Sequence, residues 1–429
     1  MKILDEIKYK IIRNNLNISV IGLGYVGLPV AFFFSKKFNV KGLDINKKRI
    51  LDLKNKKDNN KSYQRQELDN SKIIFTSNYN DIADSDIIIM TLPTPINKKK
   101  QPNLKFIYNS LNSIIKIGIK NKIIILESTV FPGASDDHFI KYLEKKSKLL
   151  INKDFFYGYS PERINPGDKN NKFNNISKVV AGSNKLVCDL IFFLYKKVVK
   201  NVYKSSSILC AEISKIVENT QRDWNVAYVN EIAIICDKFK IKSSEVLKLS
   251  STKWNFLNFK PGLVGGHCIS VDPYYLAHKA ESLGYHPAVI LSGRKVNDEM
   301  GIFVATKVIK IMTRKGIPIT NSNILILGIT FKENCPDIRN TKVVDIYNEL
   351  VSYGIKVDVN DPWANKNDVM DEYGIELTET LNLEQYQAII LTVSHKEYTH
   401  LKIDELNRDN IVVFDTKSVF DKTLVDSRL

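Results

Sequence analysis

The sequence predicts an α/β protein with two doubly wound parallel sheets, one toward each end of the chain, joined by a helical central segment that contains a long helix. Short β-branched runs alternate with helical apolar periodicity over residues 17–204 and again from residue 322. Between them, "SSILCAEISKIVENTQRDWNVAYVNEIAIICDKF" and "PAVILSGRKVNDEMGIFVATKVIKIMTRKG" keep helical periodicity with no strand interleaved. A length of 429 residues also exceeds one ordinary core. We therefore place domains at 1–204, 205–316 and 317–429.

The first element pair lies in "NISVIGLGYVGLPVAFFFSKKFNVKGLDIN", residues 17–46, where a β-branched run passes through Gly22, Gly24 and Gly27 into an apolar helical stretch. A second short strand follows and ends on Asp44. In this strand–turn–helix–strand context GxGxxG permits a tight turn and close approach of backbone to a pyrophosphate, held at the helix N-terminus, and makes the domain Rossmann-like. An acid some 20 residues past the glycines suits a ribose 2′-hydroxyl and favours NAD over NADP, the alternative being a turn acid at a strand end. Further strands are predicted at "DIIIMTL", "KIIILEST", "FFYGYSP" and "KVVAGS". The second Rossmann-like pattern runs through "SNILILGITF", a helix near 341–352, "GIKVDVNDP", "QAIILTVS" and "NIVVFD".

Composition excludes several classes. Hydrophobic residues at 44% and charged residues at 26% match soluble globular proteins. Five cysteines with no CxxC pair argue against a disulfide framework or zinc ribbon and for a reducing cytoplasm. "MKILDEIKYKIIRNNLN" lacks the apolar core of a signal peptide, and no apolar run reaches membrane-spanning length, so a cytoplasmic protein without a membrane partner is expected. The net charge of +16 comes from lysines interleaved with asparagines, without a basic stripe. It points to small anionic ligands and not to nucleic acid. Six histidines occur singly and no acid cluster has ligand spacing, so no metal is expected.

Four stretches offer chemistry. In "EISKIVENT", Lys215 and Asn219 share a helix face, either solvated or positioned to meet an oxyanion. "GYSPERINPGD" turns through two prolines and a glycine after a strand and presents Glu162 and Arg163 as an acid/base and an anion receptor, or as a surface ion pair. "FKENCPDIRNTK" offers Lys332 and Arg339 to anions, with Cys335 read as an incidental thiol. "GLVGGHCISVD" places Cys268 beside a glycine pair, either as a small buried hydrophobe or as a nucleophile, with Asp272 following; His267 is adjacent, but neighbouring side chains often point apart.

Taken in order, GLGYVG, "ESTV", "SPERINPGD", "EISKIVENTQRDWN", "GLVGGHCISVDPYYL" and "FKENCPDIRNTK" resemble the UDP-glucose/GDP-mannose dehydrogenase family across nearly the whole chain. The forms of "SPERINPGD" and "KPGLVGGHC…VDPYYL" are most similar to the UDP-N-acetylhexosamine 6-dehydrogenases of bacterial capsule and O-antigen pathways, the UDP-N-acetylglucosamine type above all. The resemblance implies oxidation of a sugar C6 alcohol to a carboxylate with two NAD+, through a thiohemiacetal and thioester on Cys268. It makes Asp272 the acid that positions or deprotonates water, Lys215 and Asn219 the stabilisers of charge on the C6 oxygen, Glu162 an acid/base and Thr129 a holder of the hydrolytic water. For the cofactor it implies Gly22, Gly24, Tyr25, Val26, Gly27, Asp44 and Arg49, with Thr94 toward the nicotinamide and Arg339 toward the pyrophosphate. For UDP-sugar it implies Glu162, Arg163, Ile164, Asn165, Lys215, Asn219, Gly265 and Lys332, with Lys260 in the loop Asn258–Gly262, and it implies a homodimer across the long helices. Ser270 departs from the glycine usual after "HCI", and the first seventeen residues read as an extension. UDP-N-acetylgalactosamine, UDP-N-acetylmannosamine and UDP-glucose remain alternative substrates. A 6-phosphogluconate-type dehydrogenase would leave Cys268 and the C-terminal domain unexplained, and a non-catalytic sugar-nucleotide sensor is the alternative outside enzymes.

Overall fold

The computed structural model describes residues 2–60, 63–97, 100–164, 173–406 and 409–429. Strands β1 (Asn17–Ile21), β2 (Asn39–Leu43), β3 (Ile73–Thr76), β4 (Ile87–Met90), β5 (Ile123–Leu126), β6 (Phe156–Tyr159), β7 (Lys178–Gly182) and β8 (Val202–Lys204) form one sheet in the order β3-β2-β1-β4-β5-β6-β7-β8. Strands β9 (Asn323–Leu327), β10 (Lys356–Asn360), β11 (Ala388–Leu391), β12 (Val412–Asp415) and β13 (Ser427–Arg428) form a second, ordered β10-β9-β11-β12-β13, in which every pairing is parallel. The first sheet departs from the expectation at one pair: β6 and β7 run antiparallel. A parallel return needs a crossover connection, usually helical, whereas an antiparallel pair needs none.

Burial explains why these runs became strands. All four residues of "IIIM" in β4 and of "IIIL" in β5 are buried, as expected of parallel strands covered on both faces. The helix Gly27–Ser35, apolar on every side, is buried along its whole length, and Phe34 packs on Phe38, Phe173 and Tyr195. The N-terminal extension forms a helix, Lys2–Ile12, whose Leu4, Ile7 and Ile11 enter the same core. Lys10 (2.6 Å) and the Asn17 amide (3.0 Å) both bond Asp86 and fix the end of this helix to the sheet.

By contacts the chain forms two compact units, Met1–Glu218 with His278–Gly284, and Asn219–Ala277 with Tyr285–Leu429. The helical segment read at 205–316 is shared between them. Its long helix is Ile208–Lys238, and Asp272–Ser282 and Ala288–Arg314 follow.

Both sheets build the same turn after their first strand. Gly22 has φ +91° and its N–H donates to Leu43 O at 2.8 Å; Gly328 has φ +98° and donates to Asn360 O at 2.8 Å. Thr91 Oγ1 donates to the carbonyls of Ile21 (3.0 Å) and Gly22 (2.7 Å), and Thr392 Oγ1 donates to those of Leu327 and Gly328. In each case an acid beyond the second strand accepts from the residue after the glycine: Leu23 N to Asp44 at 2.8 Å, and Ile329 N to Asp361 at 2.7 Å. The copies differ at that acid. Asp361 also meets the buried His395 at 3.1 Å, which closes the second copy with a protein partner.

Candidate active site

In the first unit the glycines have separate jobs. A Cβ on Gly27 would lie 1.7 Å from Gly22 O and 2.4 Å from Thr91 Oγ1, so this glycine lets the helix press on the turn. A Cβ on Gly24 would meet nothing within 4 Å, which leaves its face open for a ligand. No side chain caps the helix Gly27–Ser35 at its N-cap Val26, as suits an N-terminus that receives a phosphate. The Asp44 carboxylate is held by Leu23 N at 2.8 Å and Asn46 N at 2.9 Å. These features fit a dinucleotide. Arg49 serves the turn from within, its Nε donating to Leu23 O at 3.0 Å and Nη1 to the buried Asp58 at 2.7 Å. Thr94 and Thr129 are brought together, Thr94 Oγ1 donating to Thr129 O at 2.6 Å.

Glu162, in the turn that follows β6, is buried, and its Oε1 accepts from the N–H groups of Arg163 and Ile164, each at 2.6 Å. Arg163 is bound to both oxygens of Glu218 and to Ser177 O (3.2 Å), so this guanidinium already holds an anion of its own unit. Asn165 lies outside the described residues. Lys215 sits on the long helix, and three residues before it Glu212 accepts from Gly133 N (2.7 Å) and Ser135 N (3.0 Å). Burial pushes the Glu212 carboxyl up to about 7 against these hydrogen bonds.

In the second unit Cys268 lies in the turn that opens the helix Asp272–Ser282: its carbonyl accepts from Val271 N (3.1 Å) and Asp272 N (2.8 Å). Asp272 is buried and accepts from Asn219 Nδ2 at 2.6 Å, so two residues 53 apart in sequence meet at the turn that carries the cysteine. Ser270 Oγ donates to Gly266 O, and Asn340 Nδ2 donates to the same carbonyl at 3.1 Å, fixing the loop. The family departure at Ser270 thus adds a tie. The glycine pair is closely packed on its Cβ side: a Cβ on Gly265 would meet Asn340 O at 2.8 Å, and one on Gly266 the Phe331 ring at 3.0 Å. These glycines let the cysteine loop pack on the loop 331–340.

That second loop carries Lys332, whose Nζ lies 5.5 Å from the Phe331 ring centroid, and Arg339, held in bidentate fashion by Asp337. Cys335 is buried and its thiol pushed up by desolvation, as an incidental thiol should be. His267 Nδ1 lies 3.8 Å from a carboxylate oxygen of Asp337 in the neighbouring loop. Lys260 is exposed. Sequence reasoning missed Lys417, which with Leu263, Gly265, Thr330, Phe331 and Thr341 lines a small cavity at the end of the second sheet. Burial pushes its ammonium pKa down. A lysine two residues beyond strand "NIVVFD" was the available signal. Among the described residues no cluster of ligating side chains could hold a metal, and no helix is long and apolar enough to cross a membrane.

A glycine turn open at Gly24, an acid held beyond the second strand and a cysteine loop packed on a second nucleotide-type fold are the features of a dinucleotide-dependent dehydrogenase. The chain belongs to the UDP-glucose/GDP-mannose dehydrogenase family: its NAD binding domain matches residues 16–207, its central domain 210–299 and its UDP binding domain 325–422. It is an NAD-dependent enzyme of that family. It is 48% identical to Protein CapL of Staphylococcus aureus over 97% of this chain and 99% of that protein. It is 47% identical to UDP-N-acetyl-D-glucosamine 6-dehydrogenase of Pseudomonas aeruginosa over 97% of this chain and 100% of that one. The fold superposes on UDP-D-ManNAc dehydrogenase from Pyrococcus horikoshii with a TM-score of 0.87, at 24% identity, over 96% of this chain and 98% of that chain.

Proposed function

We propose that this protein oxidises the C6 alcohol of UDP-N-acetyl-D-glucosamine to the uronate, through a thioester on Cys268, in the cytoplasm and for a surface polysaccharide. The observation that carries the reading is the turn in which Cys268 O caps the helix of Asp272 while Asp272 binds Asn219 at 2.6 Å. Similarity to the Pseudomonas aeruginosa enzyme supports the substrate.

When bound at the Gly22–Gly27 turn, NAD+ would supply the hydride acceptor for each of two oxidations. In the first, the C6 hydroxyl gives its proton to a base, with Glu162 the candidate, while Lys215 and Asn219 stabilise charge on the oxygen; Thr129 holds the water used in the final hydrolysis. The Cys268 thiolate then adds to the aldehyde carbon, because an aldehyde has no hydride to give until a nucleophile has made it tetrahedral. Loss of the second hydride leaves a thioester. Water, deprotonated with the help of Asp272, attacks it and releases the acid and the thiol. Gly22, Gly24, Gly27, Tyr25, Val26, Asp44, Arg49, Thr94 and Arg339 serve the cofactor, while Arg163, Ile164, Asn165, Lys260, Gly265, Lys332 and, newly, Lys417 serve the UDP-sugar.

A homodimer forms along the long helix. Trp224, Tyr228 and Ile235 are each more than 40% exposed there, and the first two stack at 6.1 Å. Such a stripe is the mark of a covered surface. A stable, active monomer in light scattering would refute this part. The substrate assignment is tested by kcat/KM on UDP-N-acetylglucosamine and its galacto, manno and glucose counterparts: we expect the first to lead by at least about tenfold, or ~1.4 kcal/mol. A lead for any other sugar overturns it.

A further inference from the structure

Glu162 belongs to a closed polar cluster within the first unit. Lys178, the first residue of β7, is fully buried; its Nζ lies 2.7 Å from Glu127 Oε2 and 3.0 Å from Glu162 Oε2. It also points to the carbonyls of Pro161 (3.2 Å) and Ser160 (3.4 Å) and lies 5.5 Å and 5.6 Å from the ring centroids of Phe173 and Tyr195. The Tyr195 hydroxyl donates to the other oxygen of Glu127. Oε1 of Glu162 is occupied by the two backbone N–H groups of Arg163 and Ile164. Among the described residues the cluster therefore contains two carboxyls, one ammonium and one phenol, and Glu127 within it is 0% exposed.

Charge balance decides its protonation. One ammonium neutralises one carboxylate, and a second buried carboxylate would stand unbalanced, out of water and without a counter-charge. One carboxyl must therefore hold a proton, and the donors decide which. Glu162 has two backbone N–H groups and Lys178, all of which favour an anion; Glu127 has Lys178 and Tyr195. Burial accordingly pushes Glu127 up to about 7, whereas in Glu162 the effect of burial is outweighed by Lys178, the bond from Glu127 and the Arg163 amide, and its carboxyl stays below the ordinary value.

We infer, on the basis of the acid/base role proposed for Glu162, that Lys178 and Glu127 are its positioning residues: Lys178 keeps Glu162 ionised and oriented, and Glu127 carries the single proton of the cluster. Neither residue was assigned a role from the sequence, where Glu127 lies in the strand run "KIIILEST" and Lys178 opens "KVVAGS".

Infrared spectroscopy of the whole protein tests the proton without any turnover. At pH 6 the carbonyl stretch of a protonated buried carboxyl should have two contributors, Glu127 and Glu212. Glu127→Gln should remove one and leave the other as an internal reference. Tyr195→Phe should shift the same component, because Tyr195 bonds Glu127; an unshifted component places the proton on Glu162 and overturns the inference. Lys178→Met should add a third protonated carboxyl and raise the acid limb of the kcat–pH profile by one unit or more, with Lys178→Arg restoring it. A folded Lys178→Met variant with the wild-type acid limb overturns the role of Lys178. Should that variant fail to fold, the spectra of Glu127→Gln and Tyr195→Phe still decide where the proton lies. Absence of turnover in the wild-type protein on every UDP-sugar would refute the proposed function and leave the infrared result standing.

Discussion

Replacing Gly27 and Gly24 separately by alanine should split folding from cofactor binding. At Gly27 the new methyl would sit 1.7 Å from Gly22 O, a backbone atom that cannot rotate away, so the helix Gly27–Ser35 must retreat by more than an ångström. All nine of its residues are buried. Overpacking costs typically ~1–3 kcal/mol, occasionally more, and here the obstacle is main chain on one side and a sheet-bound core on the other, so we expect about 3 kcal/mol or more. For a domain of this size that corresponds to a fall in Tm of roughly 2–4 °C per kcal/mol. At Gly24 a methyl meets nothing and φ is not in the left-handed region, so stability should stay within about 0.5 kcal/mol. If Gly24 meets the pyrophosphate as proposed, the same methyl should weaken NAD by about tenfold or more, ~1.4 kcal/mol. Thermal melts and titration of NAD by intrinsic fluorescence measure both. Unaltered NAD affinity in Gly24→Ala, or a wild-type melt in Gly27→Ala, would refute the reasoning.

Three further outcomes are expected. Burial raises Glu212 from 4.5 up to about 7, so stability from its neutral form is complete below about pH 4.5 and is lost as pH rises through 7, by on the order of 3 kcal/mol. Urea midpoints between pH 5 and pH 8 should therefore fall more in the wild type than in Glu212→Gln, and equal falls would contradict this. Asp272→Asn keeps an acceptor for Asn219 but loses the base; release should slow by about 10²-fold or more, and intact-mass spectra should show a sugar adduct on Cys268. Its absence under turnover would count against Asp272 as the hydrolytic residue. Lys417→Ala should raise the inhibition constant of UDP by about tenfold while NAD affinity is unchanged, and an equal loss for both ligands would point to a folding defect instead.

What the sequence could show was local. The alternation of β-branched runs and helical repeats located the sheets because parallel strands buried on both faces read as continuous apolar runs, as "IIIM" and "IIIL" do. Gly22, Gly24, Gly27 and Asp44 were legible because their spacing is itself the geometry of the turn. Antiparallel β7 was not, since strand direction depends on the connection and not on the strand's own residues. Strand β8, three residues with one buried, has no periodicity to read. The Lys178 cluster was invisible for a different reason: Glu127, Glu162, Lys178 and Tyr195 are spread over 68 residues and meet only when β5, β6, β7 and the helix Lys185–Lys196 pack. Arg49 and Gly265 show the converse: residues that the family resemblance matched to ligand roles are used by the structure to hold loops together.

The most direct test of the central claim is the number of NADH formed per UDP-N-acetylglucosamine consumed, with Cys268→Ala measured alongside. The account predicts two NADH per sugar for the wild type and loss of complete turnover in the variant. One NADH with an accumulating aldehyde, or two NADH from the variant at the wild-type rate, would contradict it.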